Sequence, residues 1–213
     1  MILCVGLAGS LGLGKGSVAD ILSTLAREQG LKVAYYSLSD EIRKEVERRR
    51  IQLERDALQQ TAHEFRSKLR NGVWAGLVAS RIKEEHFDRR HTDVIMIDAI
   101  RNIGEVHELR TQFGNQFRLL AVTAPRQVIQ ENLLRRRRHD EPKLALLDEG
   151  ELGRLLETEM RVGEPDFGHN VAACIEVADW LPIRNDGTLE DLERKVILLA
   201  EQHIFPLFAG AGT

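Results

Sequence analysis

The sequence predicts an α/β fold in which helices cover both faces of a parallel sheet of about five strands. Three features of the 213-residue chain lead to this prediction. Short apolar runs alternate with segments of helical periodicity, which implies right-handed βαβ crossovers. The runs are almost continuously apolar, as expected for strands that are buried on both faces. A glycine-rich turn also joins the first apolar run to the first helical segment, the order found at nucleotide-binding turns.

The first half of the chain contains two strands and a long helical region. Ile2–Ala8 is nearly all apolar and predicts the first strand. Ser17–Gln29 has apolar residues at helical spacing, and Lys32–Ser37 predicts the second strand. Asp40–Glu85 is helical in pattern and should form two or three helices, with a break around Asn71–Gly72.

The second half continues the alternation, although residues 139–168 are polar and charged and allow no assignment. Apolar runs of strand length and periodic segments of helix length follow one another as before. The predicted elements are a strand at Thr92–Ala99, a helix at Ile103–Phe113, a strand at Phe117–Thr123, a helix from Pro125 into Arg135–Arg138, a strand at Trp180–Arg184 and a helix at Leu189–His203.

Composition limits the classes of function. The length predicts a single domain over residues 1–213, and 43% apolar with 30% charged residues is typical of a soluble globular protein. A net charge of −3 provides no general attraction for nucleic acid or membrane. Cys4 and Cys174 lack metal-ligand spacing and are expected to be buried thiols. With no cationic leader and no long apolar run, we expect a cytoplasmic protein without membrane partners.

The glycine-rich turn predicts a phosphate-binding loop. Glycines allow successive N–H groups to curl around an anion, and the following helix adds the positive end of its dipole. Lys15 can then reach the β- and γ-phosphates of a nucleotide. An ordinary strand-to-helix turn is the alternative; a dinucleotide fingerprint would need glycine at Ser17 and has no role for Lys15. The predicted nucleotide-binding residues are Gly9, Gly12, Leu13, Gly14, Lys15, Gly16 and Ser17.

The form of this loop, with Gly16 between Lys15 and Ser17, resembles that of adenylate kinase and related nucleoside monophosphate kinases. The resemblance implies a three-layer P-loop NTPase fold that uses ATP and Mg²⁺. It also implies a helical acceptor-binding insertion at about residues 38–88 and an arginine-rich lid at about residues 135–168. Ser17 would supply the hydroxyl nearest Mg²⁺, directly or through water.

Asp98 follows the apolar residues of its predicted strand and should emerge at the carboxyl edge of the sheet, where ligands bind. There it can hold Mg²⁺ or its water shell, although a helix-capping role is the alternative. Asp98-Ala99-Ile100-Arg101 resembles the DGxPR segment of adenylate kinases, in which the arginine grips the acceptor phosphate. Ala99 replaces the glycine, and the proline is absent. The longer run IDAIRNIGEVHELR resembles more closely a group of P-loop kinases that includes phage deoxynucleotide kinase-like proteins and archaeal relatives.

Ser37–Arg43 is similar to the STGDLLR segment at the acceptor site of nucleoside monophosphate kinases. By this resemblance, Arg43 contacts the acceptor phosphate and Asp40 lies beside the transferring group, whereas a solvated helix start explains the same letters. Arg66 and Arg70, four residues apart on one helical face, could line the acceptor pocket, although we favour a surface position for the pair.

Arginines also occur where a lid is expected. Arg135 and Arg138 share a helical face, and either could close over the transferred phosphoryl group, with Arg161 a further candidate. A basic solvated face or a nucleic-acid patch is the alternative. Near the carboxyl terminus, Ala178–Leu189 resembles a segment of dephospho-CoA kinases that runs beside the nucleotide base. Asn185 would flank adenine there, although a plain turn accounts for it equally well.

Together these features predict an ATP-dependent phosphotransferase whose acceptor is a small molecule, foremost a nucleoside or deoxynucleoside monophosphate. Dephospho-CoA kinase is the alternative enzyme. A regulatory ATPase is the alternative of another class, but Ala99 and Ile100 leave no water-positioning polar residue after Asp98. An RNA- or DNA-end kinase has the arginine cluster as its sole support, and the acidic net charge disfavours nucleic acid as a partner. The sequence leaves a homodimer open.

Overall fold

The computed structural model describes residues 1–87, 92–135, 148–160 and 167–209. Within these ranges the chain forms a sheet of five parallel strands, which confirms the predicted fold class. The strands are β1 (Leu3–Ala8), β2 (Val33–Ser37), β3 (Val94–Ile100), β4 (Phe117–Thr123) and β5 (Ile183–Arg184). Their order across the sheet is β2-β3-β1-β4-β5.

Helices connect these strands in the described part of the chain. They are α1 (Lys15–Glu28), α2 (Leu38–Arg48), α3 (Arg55–Lys68), α4 (Val73–Ile82), α5 (Ile103–Phe113), α6 (Arg126–Arg135), α7 (Glu149–Met160), α8 (Val171–Glu176) and α9 (Leu189–Leu199). Single π-helical turns extend α4 through Lys83–Phe87 and α9 through Ala200–Ile204. None of these helices is both long and apolar enough to cross a membrane.

The sheet is buried on both faces, as its apolar strands require. In β1, Leu3, Val5 and Leu7 pack with side chains of α1 and α9, whereas Cys4 and Ala8 pack with side chains of α4 and α5. Alternate residues of a strand point to opposite faces, so each face of β1 forms part of a separate apolar layer. Helix, sheet and helix therefore form three layers. Cys4 and Cys174 are both buried and free.

The strand register brings three segments together at the carboxyl edge of the sheet. β1 and β3 are neighbours, with Ala8 opposite Ile100, and β2 lies on the other side of β3, with Ser37 opposite Asp98. Parallel strands end at the same edge. The turn after β1, the end of β3 and the start of α2 therefore meet there.

Several predicted boundaries differ from the structure in the carboxyl-terminal third. The strand predicted at Trp180–Arg184 is reduced to β5, because Pro182 has no N–H for a ladder and Leu181 is 89% exposed. Residues 149–160 form α7 where the sequence allowed no assignment. The unpredicted α8 begins after Asn170, whose side chain accepts a hydrogen bond from the Ala173 N–H.

The helical region after β2 divides into three helices. The break at Asn71–Gly72 is confirmed, and a second break at residues 49–54 separates α2 from α3. The predicted helix at Ile103–Phe113 and strand at Phe117–Thr123 have the predicted bounds.

Candidate active site

Residues 9–14 form a loop that connects β1 to α1. Gly14 directly precedes α1 with a φ of 87°, in the left-handed region that favours glycine. A Cβ at Gly14 would lie 2.5 Å from Nδ2 of Asn185. Both the backbone conformation and the close approach of Asn185 therefore require glycine at this position.

Hydrogen bonds hold the carbonyl groups of this loop. Nζ of Lys15 donates to the carbonyls of Gly9 and Ser10, at 2.8 Å each. Nδ2 of Asn132 donates to the Gly12 carbonyl at 2.7 Å, and Nδ2 of Asn185 donates to the Leu13 carbonyl at 3.0 Å. Because the C=O and N–H of a peptide point in opposite directions, these bonds direct the N–H groups of the same peptides away from the side chains that hold the carbonyls. That arrangement suits an anion.

The central cavity lies between the loop and the ends of β2 and β3, and has a volume of about 250 Å³. Four cationic side chains and two carboxylates line it, so its lining has an excess of positive charge and favours anionic ligands. These charged residues are Lys15, Asp40, Arg43, Arg55, Asp98 and Arg101.

Asp98 is placed in this cavity by β3. Its Oδ2 accepts a hydrogen bond from the Tyr35 hydroxyl at 2.8 Å. Burial, followed by the nearby Asp98, raises the pKa of Tyr35, so that the phenol stays a donor. Oδ1 of Asp98 is buried and has no hydrogen-bond partner among the described residues. An unsatisfied carboxylate oxygen fits a ligand of Mg²⁺ or of a water bound to it.

Arg101 is positioned by the loop between β3 and α5. Ala99 adopts a left-handed conformation with a φ of 66°, at the position where the resembling kinases have glycine. Oε2 of Glu105 accepts the backbone N–H groups of Arg101 and Asn102, at 2.9 and 3.1 Å. Nε of Arg101 is buried without a hydrogen-bond partner among the described residues. The loop therefore presents a guanidinium group with unused donor capacity.

The surface position predicted for Arg66 is wrong. Arg66 is 4% exposed and donates from Nε and Nη2 to Oε1 of Glu105, at 3.1 and 2.6 Å. Glu105 is fully buried, so the pair links α3 to the loop that holds Arg101. Arg70 does lie at the surface, where it pairs with Glu108.

Glu159 of α7 bridges the glycine loop and the arginines of the central cavity. Its Oε2 accepts the Leu11 N–H at 2.9 Å, and its Oε1 accepts from Nη2 of Arg55 at 3.1 Å. Nη1 of Arg101 lies 3.6 Å from the same Oε1. Burial raises the pKa of Glu159, but Arg101, His169, Arg55 and the Leu11 N–H outweigh burial and lower the pKa to about 2. Glu159 is therefore a buried carboxylate that remains charged.

A second space, the loop cavity, lies on the other side of the glycine loop and has a volume of about 680 Å³. Gly14 and Ser17 line it together with Asn132 of α6 and Asn185 after β5. The backbone N–H of Asn185 donates to the Thr123 carbonyl at 2.7 Å, which extends the β4–β5 pairing by one residue. Asn185 is thus fixed between β4, the loop and this cavity.

The structure brings most of the sequence-predicted residues to these two cavities. Lys15, Gly16, Asp40, Arg43, Asp98 and Arg101 line the central cavity, whereas Gly14, Ser17 and Asn185 line the loop cavity. Gly9, Gly12 and Leu13 form the loop between them. The side chain of Arg135, and all of Arg138 and Arg161, lie outside the described residues.

Five residues of the site had not been singled out from the sequence: Tyr35, Arg55, Asn132, Glu159 and His169. Asn132 occurs one helical turn before the arginine run, and its amide reaches Gly12, 120 positions earlier. Arg55 and Glu159 belong to helices 104 positions apart in the chain. A charged residue at the start of one helix and another near the end of a second carry no local signal that they meet.

Sequence comparison finds similarity along most of the chain to UPF0200 proteins. A UPF0200 protein of Pyrococcus horikoshii is 29% identical over 197 residues, which cover 92% of this chain and 93% of the other. A UPF0200/UPF0201 protein of Archaeoglobus fulgidus is 31% identical over 186 residues, which cover 86% of this chain and 50% of the other. These names describe no activity. No protein-family model matches the chain.

Two solved kinases share the fold over nearly the whole chain. A shikimate kinase from Acinetobacter baumannii in complex with shikimate aligns with a TM-score of 0.52 and 16% identity, over 96% of both chains. A gluconokinase from Sinorhizobium meliloti 1021 aligns with a TM-score of 0.53 and 12% identity, over 97% of this chain and 95% of the other. The chain therefore has the α/β fold of P-loop kinases of small molecules. At such identities the likeness concerns the fold alone.

Proposed function

We propose that this protein is an ATP-dependent phosphotransferase that moves the γ-phosphoryl group of Mg·ATP to a nucleoside or deoxynucleoside monophosphate. One observation carries the proposal. The lysine of a phosphate loop and two arginines suited to an acceptor phosphate, Arg43 and Arg101, line one cavity of about 250 Å³. Donor and acceptor phosphates bound there would come close together, which is the main requirement of phosphoryl transfer.

The glycine loop and Lys15 hold the donor phosphates in this proposal. Nζ of Lys15 donates hydrogen bonds to the carbonyls of Gly9 and Ser10, the first two residues of the loop. From this position a rotation of the side chain takes the ammonium group to a β- or γ-phosphate oxygen. Asn185 and the loop cavity would receive adenine and ribose, because they adjoin the far side of the same loop.

Arg43 and Arg101 orient the acceptor phosphate, and Asp40 lies beside the transferring group. A monophosphate acceptor is ionised at neutral pH and needs no general base. Positioning and charge neutralisation then supply most of the acceleration. Helices α2 to α4 form the acceptor-binding region, and Arg135 or Arg138 would close over the reaction from the lid.

The residues present fit a magnesium ion that arrives with ATP. Oδ1 of Asp98 is buried and unpaired among the described residues, and Ser17 follows the loop lysine in α1. No cluster of three or more metal-ligating side chains exists in the described ranges, as suits Mg²⁺ held by a carboxylate, water and phosphates. When bound, Mg²⁺ neutralises charge on the phosphates. Asp98 and Ser17 would hold it, directly or through water.

A screen for the acceptor tests this function. ADP release is measured with Mg·ATP and, in turn, nucleoside monophosphates, nucleosides and dephospho-CoA. We expect release with one or more monophosphates well above the ATP hydrolysis seen without acceptor. Release with dephospho-CoA alone would assign the alternative kinase. ATP binding without release with any acceptor would favour a regulatory nucleotide-binding protein.

Lys15→Ala tests the phosphate loop. We expect the substitution to abolish phosphoryl transfer, since the remaining loop N–H groups cannot replace a charge at the β- and γ-phosphates. Circular dichroism should show an intact fold. Lys32→Ala is the matched control, because Lys32 is exposed and precedes β2 at the opposite edge of the sheet. Undiminished transfer by Lys15→Ala would refute the assignment.

Arg101→Ala tests the acceptor site. We expect the KM for the acceptor to rise about tenfold or more, the effect of losing a charge-assisted hydrogen bond, with little change in the KM for ATP. Arg48→Ala, at an exposed arginine of α2, should leave both constants unchanged. Equal increases for acceptor and ATP would remove Arg101 from the acceptor role.

A further inference from the structure

We propose that the space between the Leu11 N–H and the guanidinium groups of Arg55 and Arg101 is the binding site of a phosphate monoester dianion, and that Glu159 fills this space as an internal anion which the phosphate displaces. The inference rests on the proposed phosphotransferase function and extends it in two ways. It adds Arg55 to the acceptor site, and it restricts the acceptor group to a phosphate.

The contacts of Glu159 are those expected of a phosphate in this place. One carboxylate oxygen accepts the loop N–H of Leu11, and the other faces Arg55 at 3.1 Å and Arg101 at 3.6 Å. Loop N–H groups bind donor phosphates, and arginines bind acceptor phosphates. An anion that touches both lies between the two reactants.

The surroundings of Glu159 hold more hydrogen-bond donors than a carboxylate satisfies. Nε of Arg101 and Nδ1 of His169 are buried and have no hydrogen-bond partner among the described residues. His169 lines the central cavity, and burial, followed by Arg101, lowers its pKa to about 3, so it is neutral at physiological pH. A phosphate monoester has three terminal oxygens where a carboxylate has two, so its additional oxygen can accept from Nε of Arg101, and from Nδ1 of His169 in the tautomer that carries the proton there.

Glu159 and a phosphate cannot occupy this space together. Two anions in a buried site repel strongly, and Arg55 and Arg101 can compensate one of them far better than both. When phosphate binds, the carboxylate must leave, which detaches the end of α7 from Leu11. Leu155 and Leu156 of α7 pack on the apolar layer that includes Leu11 and Leu13, so this helix is joined to the loop by apolar contacts as well.

A neutral acceptor group does not fit the same site. If a hydroxyl displaced Glu159, Arg55 and Arg101 would lose their carboxylate and gain no charge in return. The side chains of Arg55 and Arg101 are 23% and 21% exposed, so water screens their charges only in part, and one hydrogen bond from a neutral group does not replace the lost carboxylate. An acceptor phosphate, by contrast, replaces the negative charge that Glu159 takes away from Arg55 and Arg101. The site therefore selects acceptors whose reactive end is a phosphate.

Phosphate binding by Glu159→Gln tests the proposal directly, with inorganic phosphate as the probe and isothermal titration calorimetry as the measurement. Glutamine binds Arg55 and Arg101 less tightly than glutamate does, so the space is free in a larger fraction of molecules and the apparent affinity rises in proportion. We expect phosphate to bind about tenfold more tightly than to the unmodified protein. Glu157→Gln is the control, since Glu157 is an exposed residue of the same helix.

A second substitution locates the phosphate. Arg55→Gln, introduced into Glu159→Gln, should abolish the gain, because the phosphate then lacks one of its arginines. An unchanged or weaker affinity in Glu159→Gln would overturn the proposal, and so would a gain that persists without Arg55. Since inorganic phosphate binds without any transfer, these results stand apart from the acceptor screen. Binding as expected with no transfer to any acceptor would refute the proposed function alone.

Hydrogen exchange on the unmodified protein provides a measurement that needs no variant to fold. With saturating inorganic phosphate, amide exchange in residues 149–160 should become faster, because Glu159 no longer fastens α7 to Leu11. Slower or equal exchange, with phosphate binding seen by calorimetry, would show that Glu159 stays in place and would contradict displacement.

Discussion

Ala99 has a backbone conformation that is costly for any residue with a side chain. Its φ of 66° lies in the left-handed region, within β3 and directly after Asp98, two residues before the loop that begins at Arg101. For alanine this conformation costs roughly 1–2 kcal/mol. Ala99 lies where the pairing of β1 with β3 shifts register, between two residues, Asp98 and Arg101, that line the same cavity. Ala99 therefore stands where the resembling kinases have glycine, and its backbone still adopts a left-handed conformation that glycine would adopt without strain.

Ala99→Gly should stabilise the protein. Glycine removes the left-handed strain but adds freedom to the unfolded chain, which leaves a net gain of about 0.5–1 kcal/mol in the free energy of unfolding. Urea unfolding measures this gain. Ala57→Gly, in the right-handed helix α3, should lose about 1 kcal/mol and provides the comparison. A loss of similar size at Ala99 would mean that the residue carries no strain.

For single residues, the sequence predicts the positions of those that are fixed by their neighbours in the chain. The glycine loop and Lys15 could be assigned because spacing alone fixes strand, turn and helix. Asp98 could be placed because it follows four apolar residues of β3. Glu159 could not, since its partner Leu11 lies 148 positions away and the contact depends on how α7 packs. Arg66 was misplaced for the same reason, because its burial depends on Glu105 of another helix.

Helix α5 determines the geometry of the acceptor loop through its first turn. Asn102 and Glu105 form a capping box, in which the Asn102 side chain accepts the Gly104 N–H and Glu105 accepts the Asn102 N–H. The same Glu105 pairs with the buried Arg66 and accepts the N–H of Arg101. One carboxylate therefore satisfies a helix end, a buried charge and the backbone of a site residue.

Glu105→Ala should cause a large loss of stability. It leaves the guanidinium of Arg66 buried without its carboxylate, for which breaking a buried pair costs about 3–5 kcal/mol. Chemical denaturation measures the loss. Glu64→Ala removes an ion-pairing glutamate from the exposed face of α3 and should have a much smaller effect. If the two variants were equally stable, Arg66 would not depend on Glu105.

Helices and strands with strong local sequence signals were predicted with correct bounds, whereas those with weak sequence signals were not. Ile103–Phe113 begins at a capping box and Phe117–Thr123 is a run of apolar residues, so both could be assigned from the sequence. β5 has two residues and is defined by pairing with Val122 and Thr123 rather than by its own composition. Helix α8 has six residues, too few for periodicity to stand out.

Across the whole molecule, titratable groups from distant segments converge at the central cavity and next to it. Arg66, Arg101, Glu105, Glu159 and His169 come from α3, the β3–α5 loop, α5, α7 and the segment before α8. The backbone N–H of Asn170 donates to the Arg101 carbonyl at 2.7 Å, and Nδ2 of Asn102 donates to the Gly168 carbonyl at 2.6 Å. The fold therefore encloses a network of titratable groups, and its stability depends on their protonation.

Acid should destabilise the protein in a defined order. Burial, followed by Arg101, lowers the pKa of His169 from 6.5 to about 3, so below pH 6.5 the unfolded chain takes up a proton that the folded chain excludes. Stability therefore falls as the pH drops from 6.5 toward 3, by at most about 1.4 kcal/mol per pH unit for this group. Glu159, with a pKa of about 2 against 4.5 when unperturbed, adds a further loss below pH 4.5.

Melting temperatures measured between pH 7.5 and pH 5 check the loss of stability that His169 causes, because this range brackets the unperturbed histidine pKa of 6.5. The unmodified protein should melt at progressively lower temperature below pH 6.5. His169→Gln cannot take up the proton, so its melting temperature should fall less steeply even if it starts lower. His107→Gln, at an exposed position of α5, should keep the original slope. Equal slopes for His169→Gln and the unmodified protein would mean that His169 is protonated in the folded state. The buried cluster would then carry one more positive charge beside Arg101, and Glu159 would be needed there to balance it.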